Sequence, residues 1–284
     1  MHKVARKLLR AVANYDPSYY DMYADPNEAF FARLYVERIA RAAADAGLHP
    51  PATLLEAGCQ TGRLAIPLAT FGFQVTGIDT SGFALRRARH HARAAGVEAA
   101  FLQGDLMEVL QRQPPPQYDI VVCAEVIYLA QDLRAMAQVL AGAVRPGGLL
   151  CISHRPMCYY LIEALRHGYL ATARRVLEQR EGRFEGPFPE RGEYNWQDEA
   201  GLRRLYNELG LRQIALYPID RCAWLSGVNV SELTEAEREA WLEMELRAGD
   251  PSATCSRYVL VVASQPHHRD TEKQSTEAQK RNHQ

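Results

Sequence analysis

Between Thr53 and His154 the chain alternates short apolar runs with helix-patterned stretches, and its first four apolar runs each close on an acid. Those acids are Glu56, Asp79, Asp105 and Glu125. Runs rich in Val, Ile and Leu that alternate with helical patterns describe a parallel sheet covered on both faces. A helix expected over Leu133 to Val144 stops at Pro146-Gly147-Gly148, and Gly148 to His154 gives a fifth strand. Two later runs, Leu211 to Ile219 and Ser256 to Ser264, bring the sheet to seven strands. The expected fold is α/β: a doubly wound, mostly parallel sheet in a three-layer α/β/α sandwich. Ligands on such sheets sit beyond the carboxyl ends of the strands, so the four acids share one rim.

The first of these units, Leu54 to Ala69, is the most specific. A strand empties into a turn holding Gly58 and Gly62, and a helix with Arg63 near its start follows. Such a turn brings bare backbone against a small ligand. Glu56 stands two residues before the first glycine, where a carboxylate suits a cationic or donor-rich ligand and repels a pyrophosphate.

At these residues the chain resembles the class I S-adenosylmethionine-dependent methyltransferases. The family's first motif is an acid followed by G-x-G-x-G, which Glu56-Ala57-Gly58-Cys59-Gln60-Thr61-Gly62 matches except at Gln60. The resemblance implies S-adenosyl-L-methionine as cofactor, with Glu56, Gly58, Gln60 and Gly62 against its methionine end. It implies Asp79 on the ribose hydroxyls, Asp105 on the adenine amino group and Leu106 against the ring. Cys123 to Leu129 would face the substrate, with Glu125 positioning cofactor or acceptor. A late strand inserted antiparallel is a habit of the family, expected here of Ser256 to Ser264. The likeness covers Thr53 to His154 well, Trp196 to Ser264 loosely, and Arg155 to Tyr194 not at all.

Gln60 replaces the usual middle glycine. If that position needs a positive φ, Gln costs roughly 1 kcal/mol or more. Otherwise the backbone stays ordinary and the amide reaches the cofactor, or the site is weakened.

The implied function is methyl transfer to a small-molecule acceptor through oxygen, nitrogen or carbon. The non-enzymatic alternative is a cofactor-binding regulator or partner subunit that kept the fold. A nicotinamide-dependent oxidoreductase needs G-x-G-x-x-G, and this chain has Gln60 and Arg63 at its second and third glycines. A net charge of −1 over 284 residues gives no global basic field, which sets nucleic acid aside as a partner and leaves RNA methylation a minor alternative. Arg86, Arg87, Arg89 and Arg93, with Lys3, Arg6, Lys7 and Arg10, read as solvated faces. The six cysteines show no C-x-x-C spacing, so no metal is expected. With no long apolar run, a cytoplasmic chain with reduced thiols and no membrane contact is expected.

Substrate choice is expected outside the sheet. Residues 1–50 read as N-terminal cap helices, in which Tyr20 or Tyr23 is the candidate pocket residue. Residues 155–195 read as a lid insert: a long helix over Pro156 to Arg180, then a mobile loop, with a scaffold helix or a dimer contact as the plain alternative. Monomer and homodimer both stay open. Asn195 is expected to cap the helix Gln197 to Gly210, and Thr234 with Glu237 to form a capping box. Residues 1–264 form one domain in this reading, and 265–284 a disordered tail. His154, leaving the fifth strand at the rim, is the candidate catalytic base, with a structural role as its rival. Arg155 is the candidate clamp for a substrate carboxylate or phosphate.

Overall fold

The computed structural model describes residues 20–112, 118–186, 192–248 and 255–267. The basic cluster expected at Lys3 to Arg10 and the tail beyond residue 267 lie outside them. A helix α1 (Pro26–Asp45) precedes the sheet. Then come β1 (Thr53–Ala57), α2 (Ala65–Thr70), β2 (Gln74–Asp79), α3 (Gly82–Ala94), β3 (Ala99–Gln103), α4 (Leu106–Arg112) and β4 (Tyr118–Cys123). The second half holds α5 (Leu133–Gly142), β5 (Val144–His154), α6 (Met157–Arg166), α7 (Leu170–Gln179), β6 (Gly182–Gly186) and β7 (Gly192–Trp196). It closes with α8 (Glu199–Glu208), β8 (Arg212–Ile219), α9 (Cys222–Ser226), α10 (Glu235–Arg247) and β9 (Tyr258–Ser264).

Seven strands form one sheet in the order β3-β2-β1-β4-β5-β9-β8. All neighbours pair parallel except β9, which runs antiparallel to β5 and β8. Side chains alternate faces along each strand. Leu54, Ile120, Cys151 and Leu260 enter one apolar cluster, while their neighbours Leu55, Val121, Ile152 and Val261 enter another. Both faces are therefore buried under helices, which explains why these strands are apolar throughout. The chain winds outward through β1, β2 and β3, then returns to lay β4 on the other side of β1. That reversal opens a crevice at the carboxyl ends of β1 and β4.

Four local expectations are corrected. Helix α5 ends at Gly142, and Pro146 to Gly148 belong to β5, whose register with β4 shifts between Tyr118 and Ile120. Such a shift tolerates a proline that donates nothing to the ladder. The long insert helix breaks into α6 and α7 at Gly168, whose φ of 74° is a left-handed stop. The stretch expected as a mobile loop contains the hairpin β6–β7. Asp198, not Asn195, caps α8 through the Gly201 amide at 2.7 Å, while Asn195 Nδ2 donates to the Tyr128 and Ala130 carbonyls.

The Thr234–Glu237 capping box is present. Gln265, expected to open the tail, still pairs through its backbone with Gly147 and Gly148. Cys158 and Cys255 are joined in a disulfide, against the expectation of reduced thiols throughout. Among the described residues no helix is long and apolar enough to cross a membrane.

Candidate active site

A cavity of about 420 Å³ lies in the crevice. Glu56, Gly58, Gln60, Asp79, Asp105, Leu106 and Glu125 all line it, together with Met22, Arg63, Val126 and Tyr128. The four strand-end acids thus meet around one volume. Gly62 shapes the turn from behind.

The turn is built by its glycines. Gly58 has φ 83° and packs so closely on Val126 that any Cβ there would overlap that side chain. Its amide and that of Cys59 donate to the Ile78 carbonyl at 2.8 and 3.0 Å, locking the turn onto β2. Gly62 has φ 88°, and a Cβ would fall 2.7 Å from Ile66. Gln60 also has a positive φ, 45°, so the ordinary-backbone alternative is corrected. A non-glycine residue there stores about 1–2 kcal/mol of strain. Its side-chain Nε2 donates to the Tyr20 carbonyl at 2.7 Å.

Each acid is held differently. Glu56 is 4% exposed, and its Oε2 has no hydrogen-bond partner. Burial lifts its carboxyl to about 8, against the pull of Arg63. Asp79 accepts from the Gln60 amide at 2.9 Å and the Ser81 amide at 2.8 Å, which aims its carboxylate from the end of β2. Asp105 caps α4 with Oδ1, accepting from the Met107 and Glu108 amides, which leaves Oδ2 outside the cap. Glu125 has φ 61°, and its amide donates to Ser153 Oγ at 2.6 Å. Burial pushes Glu125 up, but Arg63 beside it prevails and holds the carboxyl below its ordinary value.

Arg63 was legible only as a basic residue at a helix start. Its side chain is 6% exposed and bridges Glu28 at 2.6 Å and Glu125 at 2.9 Å. Its plane lies over the Tyr35 ring at 5.7 Å. Burial disfavours the Arg63 charge, but the two carboxylates outweigh it. Nothing in the local sequence marks Glu28 as the partner, because the pair joins α1 to the glycine turn across 35 positions.

The expected substrate residues stand elsewhere. His154 is a correction: it remains within β5, fully buried, with Nε2 2.9 Å from Tyr206 Oη. Burial pushes its imidazole down to about 3, so it stays neutral in the core. Strand alternation turns its neighbour Ser153 to the opposite face, where Ser153 Oγ accepts from the Glu125 amide. Arg155, the candidate clamp for a substrate carboxylate or phosphate, is 3% exposed. Its guanidinium lies among the rings of Tyr128, Tyr159, Tyr258 and Tyr194 at 4.7, 4.7, 5.2 and 5.7 Å. It donates to Tyr258 Oη at 3.0 Å. Tyr20 and Tyr23 miss the cavity, and Met22 between them enters it. Tyr20 lines a neighbouring depression with Glu28, Trp224 and Arg257, and Tyr23 stacks on His91 at 4.6 Å.

The residues fit a nucleoside carrying cationic and donor groups. The orphaned, buried Glu56 oxygen faces a cavity in which a donor can satisfy it, and Asp79 has both oxygens pre-oriented. A dinucleotide's phosphates would instead meet Glu56 and Glu125.

Comparisons agree with this geometry. Residues 54–148 match the family model described as a methyltransferase domain. Ubiquinone biosynthesis O-methyltransferases are similar over part of the chain: that of Serratia proteamaculans is 38% identical over 96 residues, 34% of this chain and 39% of the relative. That of Aeromonas salmonicida is 37% identical over 112 residues, 38% of this chain and 47% of the relative. The chain spans less than half the length of these curated relatives. Among solved structures, a magnesium protoporphyrin IX methyltransferase from Synechocystis PCC 6803 with bound SAH superposes with TM-score 0.56 at 18% identity, covering 92% of this chain and 97% of that one. A putative S-adenosylmethionine-dependent methyltransferase from Listeria monocytogenes gives TM-score 0.55 at 12% identity, covering 83% and 98%.

The sheet order, the antiparallel β9 and the rim crevice define a Rossmann-like protein of the class I methyltransferase fold. Within it, residues 54–148 are the part that matches the methyltransferase-domain family model.

Proposed function

We propose that this chain is an enzyme that binds S-adenosyl-L-methionine in the rim cavity and directs its methyl group to a small-molecule acceptor. The observation that carries this reading is the meeting of Glu56, Asp79, Asp105 and Glu125 around one cavity beside a glycine turn. When bound, the cofactor would supply a methyl carbon on a positively charged sulfur, open to in-line attack by the acceptor as the carbon–sulfur bond breaks and the neutral thioether departs.

The chain's own residues bind and orient. Glu56, with its unpartnered oxygen, takes the donor-rich methionine end. Asp79 accepts from the ribose hydroxyls, Asp105 from the adenine amino group, and Leu106 lies against the ring. Glu125 stays ionised under Arg63 and lends negative potential near the sulfur. Tyr128 closes the wall on the side of β5. Holding the acceptor about 3–3.5 Å from the methyl carbon, away from water, supplies most of the rate in such reactions.

Incubating the full chain with methyl-labelled cofactor and a metabolite extract tests this. Label on a small molecule supports the enzyme. Tight cofactor binding with no transfer to any fraction supports the regulator or partner-subunit reading instead.

A further inference from the structure

We propose that Gln60 is a latch that holds the segment Tyr20 to Asp25 closed over the nucleoside cavity and thereby sets how fast the nucleoside leaves. This rests on the cofactor reading above.

Both ends of the Gln60 amide are used. Nε2 donates to the Tyr20 carbonyl at 2.7 Å, and Oε1 accepts from the Thr61 amide at 3.0 Å and the Thr61 hydroxyl at 2.8 Å. The Thr61 hydroxyl in turn accepts from the Tyr23 amide at 3.1 Å. Tyr20 and Tyr23, on either side of Met22, are therefore both tied to the glycine turn, and Met22 forms cavity wall. A third tie comes from Asp21, whose carboxylate meets His91 at 2.9 Å and Arg87 at 3.2 Å on α3. The far end is fixed where Asp25 caps α1.

Gln60 also touches the ligand side. Its backbone amide donates to Asp79 Oδ2 at 2.9 Å. One residue thus orients the ribose-binding acid with its main chain and the closing segment with its side chain. A glycine would supply only the first of these, and Gln60 stands at φ 45° to supply both. The second role accounts for a side chain at a position where the backbone conformation favours glycine. Gln60 acts through Met22 and Asp79 and is a positioning residue.

Two readouts test the latch. In stopped-flow displacement, Gln60→Gly and Gln60→Asn each release S-adenosylhomocysteine about tenfold faster than the unaltered chain, the loss expected for one well-formed hydrogen bond. Asn keeps the amide and tolerates the left-handed backbone, but it is one methylene too short to reach Tyr20. In hydrogen exchange on the ligand-free protein, the Tyr23 amide exchanges faster in both variants. Release rates within twofold of the unaltered chain, with unchanged Tyr23 exchange, overturn the latch. If the unaltered chain fails to bind S-adenosylhomocysteine, the cofactor reading falls and the nucleoside role of the latch with it. Tyr23 exchange then still reports whether Gln60 fastens the segment.

Discussion

Arg63 donates to Glu125 at 2.9 Å in a site where both side chains are almost removed from water. With Glu28 on its other nitrogen, the guanidinium is the main compensation, ahead of Arg257, for two enclosed carboxylates from α1 and the β4 loop. A pair of this kind adds little beyond what apolar residues would give, but breaking it is costly because the remaining charges stay buried.

Arg63→Met is therefore expected to destabilise the fold by about 3–5 kcal/mol, read from denaturant midpoints. A loss below about 1 kcal/mol, the range of exposed pairs, contradicts the enclosed geometry.

Glu56 gives a pH signature. Its carboxyl rises from 4.5 to about 8 in the folded, ligand-free protein. An acid whose pKa is higher folded than unfolded binds its proton more tightly when folded, so its contribution to stability falls as pH climbs between those values. Stability of the ligand-free chain should decline from this source between about pH 4.5 and 8, and Glu56→Gln should flatten the decline. A cationic ligand favours the ionised form, so calorimetry near pH 7 in buffers of different ionisation enthalpy should show a proton released on binding S-adenosylmethionine. Observed heats that do not vary with the buffer's ionisation enthalpy would remove the assigned role.

Asp79→Ala should weaken S-adenosylhomocysteine binding by about 1–3 kcal/mol, since hydrogen bonds to a charged acceptor are lost. Unchanged affinity means that the ribose lies elsewhere.

His154 belongs to the core in this account. Tyr206→Phe leaves its Nε2 without the 2.9 Å partner and should cost about 1–3 kcal/mol in stability. Affinity for S-adenosylhomocysteine should not move. A change in that affinity larger than the change in stability would put His154 back in the site.

The four rim acids and the two turn glycines were legible because each sits where a local pattern changes from strand to turn. The mostly parallel character of the sheet followed from the same alternation, and its antiparallel late strand from the family resemblance. His154 was misread because the strand ends where expected but its last side chain falls on the buried face, and one step in a strand reverses the face. Ser153 and His154 look equally terminal in sequence, yet only Ser153 reaches Glu125. The Arg63–Glu28 bridge and the Gln60–Tyr20 contact join positions 35 and 40 residues apart, and no periodicity encodes them. The hairpin β6–β7 was hidden by the glycines and charges that make its sequence resemble a loop.

The most direct test is titration calorimetry of the full chain with S-adenosylhomocysteine and, separately, with NADH. The convergence of Glu56, Asp79, Asp105 and Glu125 predicts saturable one-to-one binding of S-adenosylhomocysteine, weakened in Asp79→Ala, and no heat of binding with NADH. Saturable binding of NADH with none of S-adenosylhomocysteine would contradict the account.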